Sequence, residues 1–164
     1  SPNPMCGKSF LAVATCQKIL EKYSIPFRYL HIPQFFRTFR KIIGNSISDS
    51  YDNEESAYGY MDSIATFEGI LILDDFGKEK VSESTLSEIY DIISNRIENG
   101  LVTFYTSNYA LVYMDEASNH KAYERLPFKY VGVTGNSILE KIKASCYVID
   151  MSNIPVYEKD NETL

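Results

Sequence analysis

Three residues near the start of the chain, Gly7, Lys8 and Ser9, stand directly before an amphipathic stretch with helical periodicity. A helix N-terminus and a lysine ammonium both attract phosphate, and a serine hydroxyl is a ligand for magnesium. This arrangement predicts a loop that binds the phosphates of a nucleotide. The residues expected to contact the nucleotide are Met5, Cys6, Gly7, Lys8, Ser9 and Phe10, and Ser9 is also a predicted metal ligand.

This loop departs from the usual phosphate-binding pattern, G-x-x-x-x-G-K-[ST]. The pattern would place its first glycine at position 2, where this chain has Pro2. Neither Pro2 nor Pro4 has a backbone N–H to offer a phosphate, so the loop is degenerate. Taken alone, the same residues also fit a solvated helix start with a surface lysine.

A second candidate site follows an apolar run that reads as a buried parallel strand, residues 69–73, and consists of Asp74 and Asp75. Beside a phosphate loop, the first acid can hold Mg²⁺ and the second can orient or deprotonate the attacking water. We therefore predict Asp74 as a metal ligand and Asp75 as a catalytic residue. The alternative is an acidic turn after a core strand.

A third polar residue, Asn108, follows another predicted strand, residues 102–106, which is rich in β-branched and aromatic side chains. Ligands of open parallel sheets bind beyond the carboxyl ends of the strands. An amide at that edge can reach a terminal phosphate or the attacking water, so we predict Asn108 as a catalytic residue. A simple turn is the alternative.

The elements that must position these residues alternate along the chain, which predicts a parallel sheet between layers of helices. The predicted helices span 9–23, 33–43, 54–66, 82–99 and 135–144, and the predicted strands span 27–32, 69–74, 102–106 and 146–151.

Composition fits one modest domain, because 45% of the 164 residues are hydrophobic and 13% are aromatic. We predict a domain over residues 1–152 and a polar tail over 153–164. No apolar run is long enough to span a membrane, so a cytoplasmic location without membrane contact is expected. The three cysteines lack zinc or disulfide spacing, and the two histidines, His31 and His120, are too far apart in sequence to predict a ligand cluster.

The net charge of −6 disfavours tight, nonspecific DNA binding by the whole surface. Any contact with single-stranded DNA is expected to be weak and local. The best candidate is the helix that carries Arg37, Arg40 and Lys41 among aromatic residues. The alternative, which the helical spacing favours, is that Phe35, Phe36 and Phe39 pack in the core.

The order of these motifs resembles the AAA+ ATPase domain of bacterial replicative helicase loaders of the DnaC/DnaI type, and the related IstB-like transposition ATPases. The resemblance covers the chain from its first loop to about residue 151. The segments that carry it are Gly7–Ala12, Ile25–Pro33 with the helix after it, Leu71–Gly77, Leu86–Gly100 and Thr106–Asn108.

The resemblance implies an α/β P-loop NTPase fold of the AAA+ class, a three-layer sandwich with a parallel central sheet. Lys8 and Ser9 then correspond to the Walker A pair, Asp74 and Asp75 to the Walker B pair, and Asn108 to sensor 1. The implied cofactors are ATP and Mg²⁺. The implied partners are a replicative DNA helicase, single-stranded DNA and further copies of the chain, associated through the ATP site.

Three departures from the family pattern affect these expectations. Pro2 and Met5 stand where the family usually has glycine, and Lys141 stands where it carries an arginine that acts on a neighbouring subunit. Lysine supplies charge there without the bidentate grip of a guanidinium, so hydrolysis stimulated across a subunit interface is expected to be weak. The family also places a buried strand before the loop, so an N-terminally truncated domain is expected.

The expected function is that of an ATP-binding loader ATPase that helps to place a replicative helicase on single-stranded DNA. Two alternatives stay open at this point. One is an IstB-like helper ATPase of a transposase, and the other is a catalytically inactive adaptor that keeps the AAA+ fold for protein binding.

Overall fold

Helices and strands alternate through the part of the chain that the structure, a computed structural model, describes: residues 5–46, 52–80, 82–109, 132–151 and Ile154. The elements are α1 (Lys8–Tyr23), β1 (Phe27–His31), α2 (Ile32–Ser46), α3 (Asp52–Ala65), β2 (Ile70–Asp74), α4 (Glu83–Glu98), β3 (Thr103–Tyr105) and α5 (Gly132–Ser145).

The strands form a parallel sheet in the order β1-β2-β3. In its register Tyr29 lies opposite Ile72, His31 opposite Asp74, and Ile72 opposite Phe104. All three strands therefore end at the same edge of the sheet. This edge brings together the ends of β1 and β2 and the residues that follow Tyr105.

The sheet is covered by helices on both faces. On one face, Ala12 and Cys16 of α1 pack against Ile70 and Ile72 of β2. The other face carries the larger core, to which the helices α2, α3, α4 and α5 all contribute. Because strand residues alternate between faces, Leu71 and Leu73 lie in this larger core. The result is the predicted three-layer α/β architecture.

The predicted elements agree with the observed ones except at the end of the described chain. The expected strand over residues 146–151 is wrong, because these residues are assigned to no helix or strand. The side chains of Tyr147, Val148 and Ile149 are exposed there. Their β propensity predicted a strand, but a strand also needs a neighbour to pair with, and none of the described strands pairs with this segment.

The domain boundary at residue 152 stays a prediction. Of the predicted tail, only Ile154 is among the described residues.

A buried arginine ties the amino ends of two strands to a helix. Arg96 of α4 has no exposed surface, and burial lowers the pKa of its guanidinium without neutralising it. Its donors are all directed to uncharged oxygens at distances of 2.8 to 3.3 Å. The acceptors are the hydroxyl of Thr103 and the carbonyl oxygens of Ile64, Phe67, Gly69 and Val102. Arg96 thus fixes the entry into β2 and β3.

We expect Arg96→Met to lower the free energy of unfolding by about 2 to 4 kcal/mol, because a buried acceptor left without its donor costs about 1 to 3 kcal/mol. Urea denaturation of the chain measures the change. Arg37→Met is the matched control, since Arg37 is exposed on α2 and its replacement should matter by less than about 0.5 kcal/mol. Equal midpoints for the two variants would contradict this role of Arg96.

Candidate functional site

The predicted phosphate loop enters α1 through a left-handed turn. Gly7 is the residue before the helix and has a φ of 86°, and Met5 has a φ of 63°. Left-handed backbone strains residues with a Cβ, so glycine is favoured at position 7. Lys8 begins the helix, and its Nζ lies 3.4 Å from the Sγ of the buried Cys6. The lysine side chain is therefore folded back over the loop.

The remaining predicted loop contacts, Met5 and Phe10, have exposed side chains, 70% and 79% exposed respectively. Any contribution from these two residues to phosphate binding comes from the backbone N–H groups. Pro2 and Pro4 lie outside the described residues.

Of the two aspartates, Asp74 is the one that contacts the first turn of α1. It follows Ile72 by two positions and Ile70 by four, and every second residue of a strand is on the same face, so its side chain is on the face of the sheet that packs against α1. The hydroxyl of Ser9 donates a hydrogen bond of 2.6 Å to Oδ1 of Asp74. The two predicted metal ligands, which are 65 positions apart in the sequence, are thus in direct contact.

Two further hydroxyl groups donate to the Asp74 carboxylate. Thr106 donates to Oδ1 at 2.5 Å, and Tyr29 donates to Oδ2 at 2.6 Å. Burial of Asp74, which is 3% exposed, acts to raise the pKa of its carboxyl. The hydrogen bonds from Ser9, Thr106 and Tyr29 outweigh that effect, and the pKa is held below the ordinary value. Asp74 is therefore ionised at neutral pH.

Asp75 lies in the turn after β2, with a left-handed φ of 58°. Its Oδ1 is 2.8 Å from Nζ of Lys78, and its Oδ2 is 3.3 Å from Nε2 of His31. The backbone N–H of Asp75 donates to the hydroxyl of Thr106. These contacts hold the Asp75 carboxylate next to Asp74, at the carboxyl edge of the sheet.

Asn108 lies in the segment after β3, and this segment is held against the turn that contains Asp75. The hydroxyl of Ser107 donates to the carbonyl oxygen of Phe76 at 2.7 Å, and the N–H of Phe76 donates to the carbonyl of Thr106 at 2.8 Å. The partly buried Asn108 therefore follows the same sheet edge that carries the two aspartates.

Lys141, the remaining predicted catalytic residue, does not join this cluster. Its Nζ lies 5.3 Å from the ring centroid of Tyr90 and 3.9 Å from a carboxylate oxygen of Glu98, both on α4. Helix α4 runs back from the carboxyl edge of the sheet and ends at Glu98, before β3 begins. Within one chain, Lys141 thus lies towards the opposite end of the strands from Asp74.

Four residues whose side chains contact the aspartates were not predicted as site residues by the sequence analysis: Tyr29, His31, Lys78 and Thr106. The distance between the two histidines in sequence gave no reason to expect a ligand cluster. In the structure, however, ligand atoms of His31, Asp74 and Asp75 lie within 4.8 Å of one another. The signal was the alternation along β1, which puts Tyr29 and His31 on the same face as Phe27, the face packed by α1. His120 is outside the described residues.

The donor set at this edge fits magnesium. Mg²⁺ prefers oxygen ligands and is commonly held by one or two carboxylates together with substrate phosphates. Ser9 and Asp74 offer a hydroxyl and an ionised carboxylate in contact, and Lys8, which precedes Ser9 in the chain, is the first residue of the helix. In such a site the carboxylate and the hydroxyl would hold the metal, and the lysine and the helix N-terminus would attract the phosphates.

The basic helix considered for DNA contact is α2, and its aromatic residues are in the core. Phe35, Phe36 and Phe39 are all buried, which agrees with core packing and not with stacking on bases. Arg40 donates to the carbonyl oxygen of Lys80 and to the hydroxyl of Thr85. Arg37 and Lys41 are exposed.

No protein-family model and no curated protein sequence matches the chain. The solved structures to which the chain is similar include the following two. One is described as the crystal structure of the DnaC helicase loader, with 23% sequence identity, a TM-score of 0.56, and coverage of 87% of this chain and 70% of that chain.

The other is described as the crystal structure of the DnaI, with 26% identity, a TM-score of 0.59, and coverage of 86% of this chain and 65% of that chain. The present chain therefore spans about two thirds of the DnaI chain. Among the described residues no helix is both long enough and apolar enough to cross a membrane. The three-layer parallel architecture and these two likenesses show that the chain has an α/β P-loop fold of the AAA+ class, of the type found in DnaC and DnaI.

Proposed function

We propose that this chain is an ATP-binding AAA+ domain of the helicase-loader type, and that ATP is bound with Mg²⁺ between the start of α1 and the end of β2. The observation that carries the proposal is the 2.6 Å hydrogen bond between Ser9 and Asp74, next to Lys8. A hydroxyl, a carboxylate and an ammonium at a helix N-terminus are the groups that a magnesium–triphosphate needs.

Each side chain then has a role set by its place. Lys8 would hold the β- and γ-phosphates, and Ser9 and Asp74 would hold the magnesium, which when bound would neutralise the charge that develops on the phosphates. Asp75 orients the attacking water, with its own carboxylate fixed by His31 and Lys78. Asn108 contacts the γ-phosphate from the segment after β3, and Lys141 acts at the site of a neighbouring copy.

Hydrolysis is proposed to be slow, so that ATP acts mainly as a switch between two states of the domain. Lysine at position 141 places a point charge on a neighbour's phosphates instead of the two parallel hydrogen bonds of an arginine. Before the Lys141 ammonium can reach another chain, it must also leave its contacts with the ring of Tyr90 and the carboxylate of Glu98.

The proposed partners are a replicative DNA helicase, other copies of this chain and, weakly, single-stranded DNA. The support for the helicase is the likeness to DnaC, a protein whose structure is described as that of a helicase loader. The exposed Arg37 and Lys41 supply the local positive charge for a weak contact with DNA. A cytoplasmic location belongs to the same proposal.

The first test is nucleotide binding by the chain and by Lys8→Ala, measured as the fluorescence change of a labelled ATP analogue with excess magnesium. A hydrogen bond to a charged group contributes about 1.5 to 3 kcal/mol, so the variant should bind about 10- to 100-fold more weakly. Lys18→Ala is the control, because Lys18 is on the same helix and makes only an exposed ion pair with Glu21.

Saturable binding by the unchanged chain and by Lys18→Ala, with weak binding by Lys8→Ala, supports the proposal. If the unchanged chain binds no nucleotide, or if Lys8→Ala binds as tightly as the control, the proposed site is wrong. The domain would then be an adaptor that uses its AAA+ fold for protein contacts alone.

The second test separates binding from hydrolysis through Asp75→Asn. We expect this variant to keep the nucleotide affinity of the unchanged chain but to release phosphate at least about 100-fold more slowly, the usual loss when a group that handles a proton is removed. Phosphate release is measured with and without single-stranded DNA. Asp62→Asn, an exposed acid on α3, serves as control. An unchanged rate in Asp75→Asn would remove Asp75 from the mechanism.

A further inference from the structure

The carboxylate of Asp74 is held through both of its oxygen atoms, and the two oxygens have different partners. Oδ1 accepts from Ser9, the other proposed magnesium ligand, and from Thr106. Oδ2 accepts from the hydroxyl of Tyr29 at 2.6 Å. Tyr29 is thus the only donor to Oδ2 among the hydrogen bonds of the described residues.

The position of Tyr29 in the sheet explains how its hydroxyl reaches Asp74. Tyr29 lies opposite Ile72 in the register of β1 and β2, two residues before the end of each strand. Its side chain is on the face shared by Phe27, Asp74 and α1. A strand residue thereby reaches the carboxylate from the side opposite to Thr106, because β1 and β3 flank β2.

Core packing does not account for this tyrosine. Tyr29 remains 46% exposed, so an unsubstituted ring would satisfy the same packing. Burial of the hydroxyl and then its hydrogen bond to Asp74 raise the pKa of the phenol, so the group stays protonated and remains a donor. The feature that distinguishes tyrosine from phenylalanine here is the bond to Oδ2.

A carboxylate fixed through one oxygen can still turn, since the terminal torsion of aspartate is broad. The donors on Oδ1 set the place of that oxygen, and a donor on Oδ2 sets the plane of the group. Mg²⁺ requires ligands close to octahedral directions, and loss of a partner that orients a metal ligand typically weakens metal binding 10- to 100-fold. The orientation of Asp74 therefore matters for the metal more than for the fold.

We propose that Tyr29 is the positioning residue of the magnesium site: its hydroxyl holds Oδ2 of Asp74 and so presents Oδ1 to the metal position beside Ser9. This inference rests on the proposed function, because it assigns a residue to the same nucleotide site. It predicts that loss of the Tyr29 hydroxyl raises the magnesium concentration needed for nucleotide binding. The nucleotide affinity without magnesium should not change.

The experiment compares the unchanged chain with Tyr29→Phe. Affinity for a labelled ATP analogue is measured by fluorescence over a magnesium titration and again in excess EDTA. We expect the half-saturating magnesium concentration to rise about 10- to 100-fold in Tyr29→Phe, with no change of affinity in EDTA. The matched control is Tyr58→Phe, since Tyr58 on α3 is similarly exposed and packs by its ring against Phe39.

Two further variants test whether Tyr29 acts through Asp74. In a chain that already carries Asp74→Asn, adding Tyr29→Phe should cause no further change in the magnesium requirement. A chain with 4-aminophenylalanine at position 29 keeps a donor on the ring and should recover most of the lost magnesium affinity. An additive effect in the double variant, or no recovery with the amino group, would contradict the assignment.

The outcomes separate this inference from the proposed function. Magnesium-dependent binding by the unchanged chain, with the same requirement in Tyr29→Phe, overturns the role of Tyr29 and leaves the nucleotide site in place. An equal loss of nucleotide affinity with magnesium and in EDTA also overturns it, since a residue that only stabilises the fold would give that result. Absence of any saturable binding by the unchanged chain removes the nucleotide site and the role of Tyr29 together.

Discussion

An ionised carboxylate buried at the edge of a parallel sheet is the constraint on which this site depends. Asp74 is almost inaccessible to water, and a buried charge is tolerated only where hydrogen bonds replace its hydration. Those bonds come from Ser9, Tyr29 and Thr106, which belong to α1, to β1 and to the segment after β3. Satisfying one side chain thus fixes three parts of the chain around the proposed magnesium position.

A buried charge of opposite sign stabilises the other end of the same strands. Arg96 directs its donors to carbonyl oxygens just before β2 and β3, while Asp74 ends β2. Between them the strand is apolar and buried on both faces, from Ile70 to Leu73. The sheet is therefore anchored by Arg96 where its strands begin and by Asp74 where the chemistry is proposed to take place.

Sequence patterns were sufficient to predict the structural features that depend on the order of the elements along the chain. Alternating elements predicted the parallel sheet, and the positions of Lys8, Ser9 and Asp74 at a helix start and a strand end predicted their meeting. Alternation along β1 places Tyr29 and His31 on one face, but the contact of Tyr29 with Asp74 also depends on strand register, which periodicity does not give, so Tyr29 was missed. The strand predicted over 146–151 failed because β propensity does not supply a pairing partner.

The most direct test of the central claim replaces magnesium by paramagnetic Mn²⁺ and follows the amide NMR signals of the chain with an ATP analogue bound. A metal between α1 and β2 should broaden the signals of Lys8, Ser9 and Asp74 beyond detection and leave that of Gly100, which precedes the amino end of β3, in place. Sharp signals at Ser9 and Asp74 in the presence of bound nucleotide and Mn²⁺ would contradict the account.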